Sequence, residues 1–75
     1  MAGRGVGAWW LAEYFIRSQD AWFPVTKVGD TQGRILPLTE AIEFAQEDRD
    51  WSASLGFPTV VRVRHVKTGT KIILP

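Results

Sequence analysis

Few residues in this sequence could do covalent chemistry, and they are scattered. The chain has no cysteine and a single histidine, His65, so it can form neither a disulfide nor a thiolate metal site. Nucleophilic catalysis needs a nucleophile, a base and a group that orients the base, and no such set accompanies His65. No glycine-rich motif is followed by a phosphate-binding lysine. We therefore expect no catalytic residue, no metal, no cofactor and no enzymatic activity.

The charged residues are more informative about function, because the positive and negative side chains are segregated along the chain. Nine Lys and Arg against eight Asp and Glu leave a net charge of only +1 over 75 residues. Residues 38–51 nevertheless carry five acids and one arginine, whereas residues 59–75 carry four cations and no acid. The simplest interpretation is a solvated surface, since charged side chains are usually exposed. The alternative is a polarised molecule that steers charged partners.

Alternating and β-branched residues predict five extended segments. The predicted strands cover residues 9–17, 21–28, 34–36, 59–67 and 71–74. Pro37 should end the third, and Gly69 should form a tight turn between the last two. Alternate residues share one face of a strand, so Val61 and Val63 should face the core and Arg62 and Arg64 the opposite side. In the first strand the predicted core face holds Trp10, Ala12, Tyr14 and Ile16.

One segment has helical periodicity. We predict a helix from Glu40 to Trp51, with Thr39 as its N-cap. The apolar stripe of this helix consists of Leu38, Ala41, Ile42 and Ala45, flanked by Phe44 and Trp51. Its acidic side chains project on the outer side and are Glu40, Glu43, Glu47 and Asp50.

This order of elements predicts an α+β fold, a small two-layer sandwich. An antiparallel sheet of four to five strands carries one helix on one face, in the order ββ(β)αββ. Residues 1–8 are interpreted as a flexible leader and residues 9–75 as a single domain. Five or six of the nine aromatic residues could form the core of so small a domain, and we expect some of the others at a surface. No apolar run is long enough to cross a membrane, and the predicted location is the cytoplasm.

These features favour binding to a larger protein, since aromatic residues and arginines are typical of interfaces. The residues predicted to contact the partner are Arg62, Arg64, Glu40, Glu43, Glu47, Trp9 and Phe15. The first alternative is a nucleic-acid-binding hairpin in which cations grip phosphates and Trp9 or Phe15 stacks on bases. Those cations would be Arg62, Arg64, Lys67 and Lys71. A second alternative is a homodimer or larger homo-oligomer formed through an exposed sheet edge.

Three short motifs over residues 38–64 carry a resemblance to a known family. They are the octapeptide LTEAIEFA at residues 38–45, Gly56-Phe57, and VRVR at residues 61–64. This part of the chain resembles the small inhibitors of host RNA polymerase made by short-tailed coliphages, which have two strands, a similar helix, Gly-Phe and a strand ending Arg-Val-Arg. The resemblance implies a charge-polarised, phage-encoded protein that binds the jaw region of bacterial RNA polymerase. It also implies that Arg62, Arg64, Glu40 and Glu43 contact the enzyme, whereas the final hairpin has no counterpart in that family.

Overall fold

The computed structural model describes residues 8–26 and 32–75. Its elements in chain order are β1 (Ala8–Ile16), a 3₁₀ turn (Arg17–Gln19), β2 (Ala21–Pro24), β3 (Ile35–Pro37), α1 (Leu38–Ser54), β4 (Val61–His65) and β5 (Lys71–Ile73). The α+β prediction is confirmed, because one helix packs against an open antiparallel sheet of five strands. The predicted leader of residues 1–8 lies outside the described residues except for Ala8, which begins β1, and the end of the predicted second strand also falls outside them.

The long strand β1 organises the sheet. The strand order is β2-β1-β4-β5, and β3 pairs with β1 as well. β2 lies along the second half of β1, from Glu13 to Ile16, and β3 lies along its first half, from Ala8 to Leu11. On its other side β1 pairs with β4 from Trp10 to Tyr14. All four pairings are antiparallel, as the predicted local connections require.

The two faces of the sheet differ in chemistry. The inner face, which carries the helix, contains Ala12 opposite Val63 and Tyr14 opposite Val61. The residues between them point the other way, since side chains alternate along a strand. We call that side of the sheet the outer face; its residues are Trp9, Leu11, Glu13, Phe15, Trp22, Pro24, Ile35, Val60, Arg62, Arg64, Lys71 and Ile73, together with Lys67, which lies over the Trp9 ring. The predicted separation of valines from arginines in β4 is therefore confirmed.

The helix departs from the prediction at both ends. It begins at Leu38 with Pro37 at the N-cap, and no side chain caps it, so the predicted Thr39 cap is wrong because Thr39 already lies in the first turn. It continues to Ser54, beyond the predicted end at Trp51. Backbone N–H groups of Gly56 and Phe57 then bond the carbonyls of Ala53 and Ser52 at 3.0 and 2.9 Å, which is the Schellman arrangement that closes helix ends.

The hydrophobic core is built from small side chains. Its buried members are Ala12, Val25, Ala41, Phe44, Ala45, Val61 and Val63. Phe44 is the sole aromatic residue in that set; Trp10 and Tyr14 pack beside it half-buried, and Ile16 lies outside the cluster. The core therefore contains fewer aromatic residues than the five or six that could have formed it, and Trp51, expected beside the apolar stripe, is 64% exposed. Alanines let the helix approach the sheet closely, which leaves little room for large rings.

The open edges of the sheet end in features that discourage further strand pairing. Pro24 and Pro37 are the last residues of β2 and β3, and each lacks a backbone donor. Pro37 still pairs with Ala8, so it is the last residue of the strand. The prediction had placed it one residue after the strand. At the other edge β5 has three residues, includes Lys71, and is followed by a proline at 75. Short strands, lysine and proline are the usual protections of exposed edges.

One carboxyl group lies against the buried side of the helix. Asp48 follows Phe44 and Ala45 at helical spacing, and partial burial raises its pKa from the usual value of 3.8. A carboxyl whose pKa is raised on folding stabilises the fold while it is protonated. That contribution is complete below its unfolded pKa and is lost as the pH rises through the folded pKa.

Replacing Asp48 with asparagine should therefore stabilise the domain at neutral pH, since the amide carries no charge to desolvate. The gain should shrink as the pH falls towards the usual carboxyl pKa of 3.8. Urea unfolding at a series of pH values measures this difference. Asp50→Asn is the matched control, because the Asp50 side chain is 76% exposed. A stability difference at Asp48 that does not change with pH would contradict the assignment.

Candidate functional site

The outer face of the sheet is organised in rows that run across the strands. The first row joins Trp22, Phe15 and Val60, and is entirely apolar. The second row joins Pro24, Glu13, Arg62 and Ile73. The third row joins Ile35, Leu11, Arg64 and Lys71. The face thus changes from aromatic at one end to cationic at the other, and α1 does not cover it, because the helix packs on the inner side.

A buried carboxylate lies at the centre of this face. Glu13 is 5% exposed. Arg62, directly opposite in β4, donates from Nε to Glu13 Oε1 at 2.8 Å. Arg64, on the diagonal, donates from Nε and Nη2 to Glu13 Oε2, both at 3.3 Å. Directly opposite and diagonal neighbours are the pairs that interact across antiparallel strands, so a single carboxylate fixes the positions of both guanidinium groups.

Cations also rest on the aromatic rings of this face. The Arg62 guanidinium carbon lies 4.1 Å from the centroid of the Trp22 ring, whose centroid is 5.2 Å from that of Phe15. At the other end of the face, Lys67 Nζ lies 4.6 Å from the Trp9 ring centroid. Such cation–π contacts stabilise both partners and hold the rings in place. Each of these two indole rings therefore already has one face in contact with a cation of the same chain.

The loop between β4 and β5 is held by the single histidine. The backbone N–H groups of Lys67 and Thr68 both donate to His65 Nδ1, at 3.2 Å. Gly69 has φ +80°, as the predicted turn requires. The His65 ring also meets Trp10 edge to face, with centroids 5.0 Å apart. His65 thus shapes the turn that carries Lys67, and its ring nitrogen is engaged by the backbone.

The acidic residues of α1 form a separate surface on the other side of the domain. Glu40, Glu43 and Glu47 are exposed, as predicted. Together with Arg34, Leu36 and Phe44 they line a pocket of about 210 Å³. A cation of the preceding segment therefore lies within this acidic surface, which the charge count along the helix alone did not anticipate.

The residues predicted to bind a partner thus form two groups. The first group lies on the outer face and consists of Arg62, Arg64, Trp9 and Phe15, together with the alternative nucleic-acid contacts Lys67 and Lys71. The second group consists of the three glutamates, which lie on α1 on the opposite side of the domain. Sequence patterns did not identify Glu13 as the partner of both arginines, nor Trp22 as the ring against Arg62. The strand phase of β1 places Glu13 on the arginine side, but only the pairing of β1 with β4 brings the three charges together.

A shallow groove adjoins the aromatic end of the outer face. It is open to solvent, has a volume of about 440 Å³, and is lined by Phe15, Arg17 and residues 56–60. Phe57 and Val60 in this lining are 70% and 50% exposed. Just before them, Trp51 and Leu55 of α1 are 64% and 54% exposed. We call Trp51, Leu55, Phe57 and Val60 the end patch; large exposed apolar patches mark interaction sites.

The part of the chain that the structure describes offers neither a metal centre nor a membrane-spanning helix. Among residues 8–26 and 32–75 there is no group of three or more metal-ligating side chains that could hold an ion. No helix in the same part of the chain has the length and apolar character needed to cross a membrane. The chain matches no protein-family model, no curated protein and no solved structure.

Replacing Glu13 with glutamine should strongly destabilise the domain, because two guanidinium groups would face each other without a counter-charge. Breaking a buried pair costs roughly 3–5 kcal/mol, and we expect about 2–3 kcal/mol here because Arg64 is partly hydrated. Urea unfolding followed by tryptophan fluorescence measures the loss.

The control for this change is Glu43→Gln on the exposed side of α1. It should alter the free energy of unfolding by less than about 0.5 kcal/mol. Equal unfolding midpoints for the two variants would show that Glu13 does not hold the outer face together.

Proposed function

We propose that this domain is a non-enzymatic protein-binding module whose outer face contacts an acidic surface of a larger protein. The observation that carries the proposal is the chemistry of that face: a fixed arginine pair beside Phe15 and Trp22, on the side of the sheet opposite the helix. Aromatic residues and arginines are the side chains most enriched at the centres of interfaces. Four cations and one carboxylate give the face an excess of positive charge, which favours an acidic partner.

The preformed geometry supports binding with little loss of side-chain freedom. Arg62 has a side chain only 12% exposed, held by Glu13 on one side and Trp22 on the other. Ordering a free arginine on binding costs conformational entropy, which lowers affinity. Here folding has already ordered both arginines, because Glu13 also holds Arg64. The Arg64 side chain is 31% exposed, so its guanidinium group is presented to a partner in a fixed position.

We further propose that this protein is a phage-type modulator, which binds and inhibits a macromolecular machine of its host in the bacterial cytoplasm. The support for this more specific proposal is the resemblance of residues 38–64 to small phage inhibitors of bacterial RNA polymerase. Bacterial RNA polymerase is accordingly the first partner to test. In this interpretation Glu40, Glu43 and Glu47 would meet a different part of the partner, since they lie on the other side of the domain.

The nucleic-acid alternative is favoured by the number of cations but not by their contacts. Stacking platforms need an open aromatic face, whereas Trp22 and Trp9 each have one face against a cation. Arg62 is bonded to Glu13, and Lys71 Nζ donates to the Gly69 carbonyl at 3.3 Å. These contacts compete with phosphate binding, so we place protein binding first.

The test begins with capture of partners from a bacterial lysate by the tagged chain, with mass spectrometry, and continues with purified RNA polymerase in a calorimetric titration. The informative variant is Lys71→Glu, because Lys71 is exposed on the outer face and lies outside the Glu13 cluster. We expect affinity for the partner to fall about tenfold or more, the equivalent of roughly 1.4 kcal/mol. Alanine at Arg62 or Arg64 is unsuitable, since it would strand the buried Glu13.

The matched control is Asp50→Lys, which makes a charge reversal of equal size at an exposed residue of α1 that lies outside the predicted contact set. Equal effects of the two reversals would contradict the outer face as the contact surface, and the absence of any stoichiometric protein partner would contradict the proposal as a whole. Fluorescence anisotropy with single-stranded and duplex DNA at two salt concentrations covers the alternative. Binding with a steep salt dependence that is lost in Lys67→Ala/Lys71→Ala would favour a nucleic acid.

A further inference from the structure

The domain buries little of its apolar side-chain surface within one copy. Three of the seven buried core residues are alanines and three are valines. There is no cysteine to form a disulfide, and among the described residues no cluster of ligands holds a metal. Small proteins without such cross-links often gain the missing stability from association.

Four of the eight large apolar side chains that the described structure exposes lie close together in the sequence, at the end of α1 and in the segment after it. Trp51, Leu55, Phe57 and Val60, the end patch, are all at least half exposed and lie within ten consecutive residues. The Schellman bonds of Gly56 and Phe57 hold this segment in a fixed shape. The end patch is therefore an ordered surface, with the helix residues Trp51 and Leu55 before the turn and the groove residues after it.

We propose that two copies of this chain associate through the end patch, with Trp51 and Leu55 of each copy packed in the groove of the other. The groove is lined by Phe15, Arg17, Phe57 and Val60. Trp51 and Leu55 are one helical turn apart, and the Leu55 N–H bonds the Trp51 carbonyl at 3.2 Å. A helix that places two apolar side chains one turn apart into an apolar groove is a common recognition mode.

The charges around the patch favour a second copy over a foreign partner. The groove contributes Arg17, which is exposed, and the helix contributes Asp50, whose side chain is 76% exposed. In an isologous dimer one surface meets itself about a twofold axis, so each patch must supply both members of every pair. This patch does so, with an apolar groove and apolar helix residues, and with Arg17 on the groove side and Asp50 on the helix side, where Arg49 Nε lies 3.6 Å from the Asp50 carboxylate.

This dimer does not depend on the proposed function, because it needs no other protein, although its groove shares Phe15 and Val60 with the aromatic end of the outer face. Sedimentation of the untagged chain between about 1 and 500 µM, a range that spans the affinities of small interfaces, should show a monomer–dimer equilibrium. Leu55→Asp should shift the chain to monomer throughout this range. Ile35→Asp is the matched control, since Ile35 is 44% exposed on the far edge strand β3, and it should leave the equilibrium unchanged.

A charge exchange tests the orientation of the two copies. Arg17→Glu and Asp50→Arg should each weaken the dimer about tenfold by placing like charges together, and the double variant should restore it. Trp51 should become buried, so wild-type emission should move to shorter wavelength with rising concentration, and Trp51→Phe should abolish that shift.

Circular dichroism of each variant should be measured to check that it is folded. A wild-type chain that stays monomeric over the whole range would overturn the proposal, and so would a dimer that survives Leu55→Asp. Failure of the double variant to restore association would overturn the twofold arrangement. Partner binding is measured separately by the Lys71→Glu titration, because Lys71 lies at the opposite end of the outer face from the shared residues Phe15 and Val60.

Discussion

A buried carboxylate between two arginines constrains this small domain more than any other polar contact. Glu13 pairs with Arg62 directly across the strands and with Arg64 on the diagonal. The three charges lie on neighbouring central strands, so the contact fixes the register of β1 against β4. A one-residue slip would move every side chain of β4 to the other face, and would exchange the core valines for arginines. The same contact thus holds the core and arranges the outer face.

Sequence patterns predicted the fold class, the order of the elements and the sides of β1 and β4 that face the helix. These are local properties: alternation in β4, helical spacing from Leu38 to Ala45, and a glycine turn at Gly69. The partner of the arginines was not predictable, because Glu13 is 49 and 51 residues from Arg62 and Arg64 in the chain and local periodicity does not determine strand order. The helix start was missed because Pro37 supplied an extended N-cap conformation without a side-chain bond.

The aromatic residues show a second limit of reasoning from composition. A count of rings suggested an aromatic core, yet close approach of Ala41 and Ala45 to the sheet excludes rings from most of that space. Trp22 and Phe15 instead cover the outer face, Trp9 lies under Lys67, and Trp51 and Phe57 face solvent. Ring count alone therefore does not predict which aromatic residues enter the core, and several of them lie where other molecules can reach them.

The protected sheet edges limit how any partner can approach. With Pro24 and Pro37 at the ends of β2 and β3, and a three-residue β5 that includes Lys71, an extended chain finds few backbone groups to pair with. Contacts must then form between side chains of surfaces that are already folded. Arrays of short linear peptides cut from a partner would miss such contacts, whereas cross-linking of intact complexes would retain them.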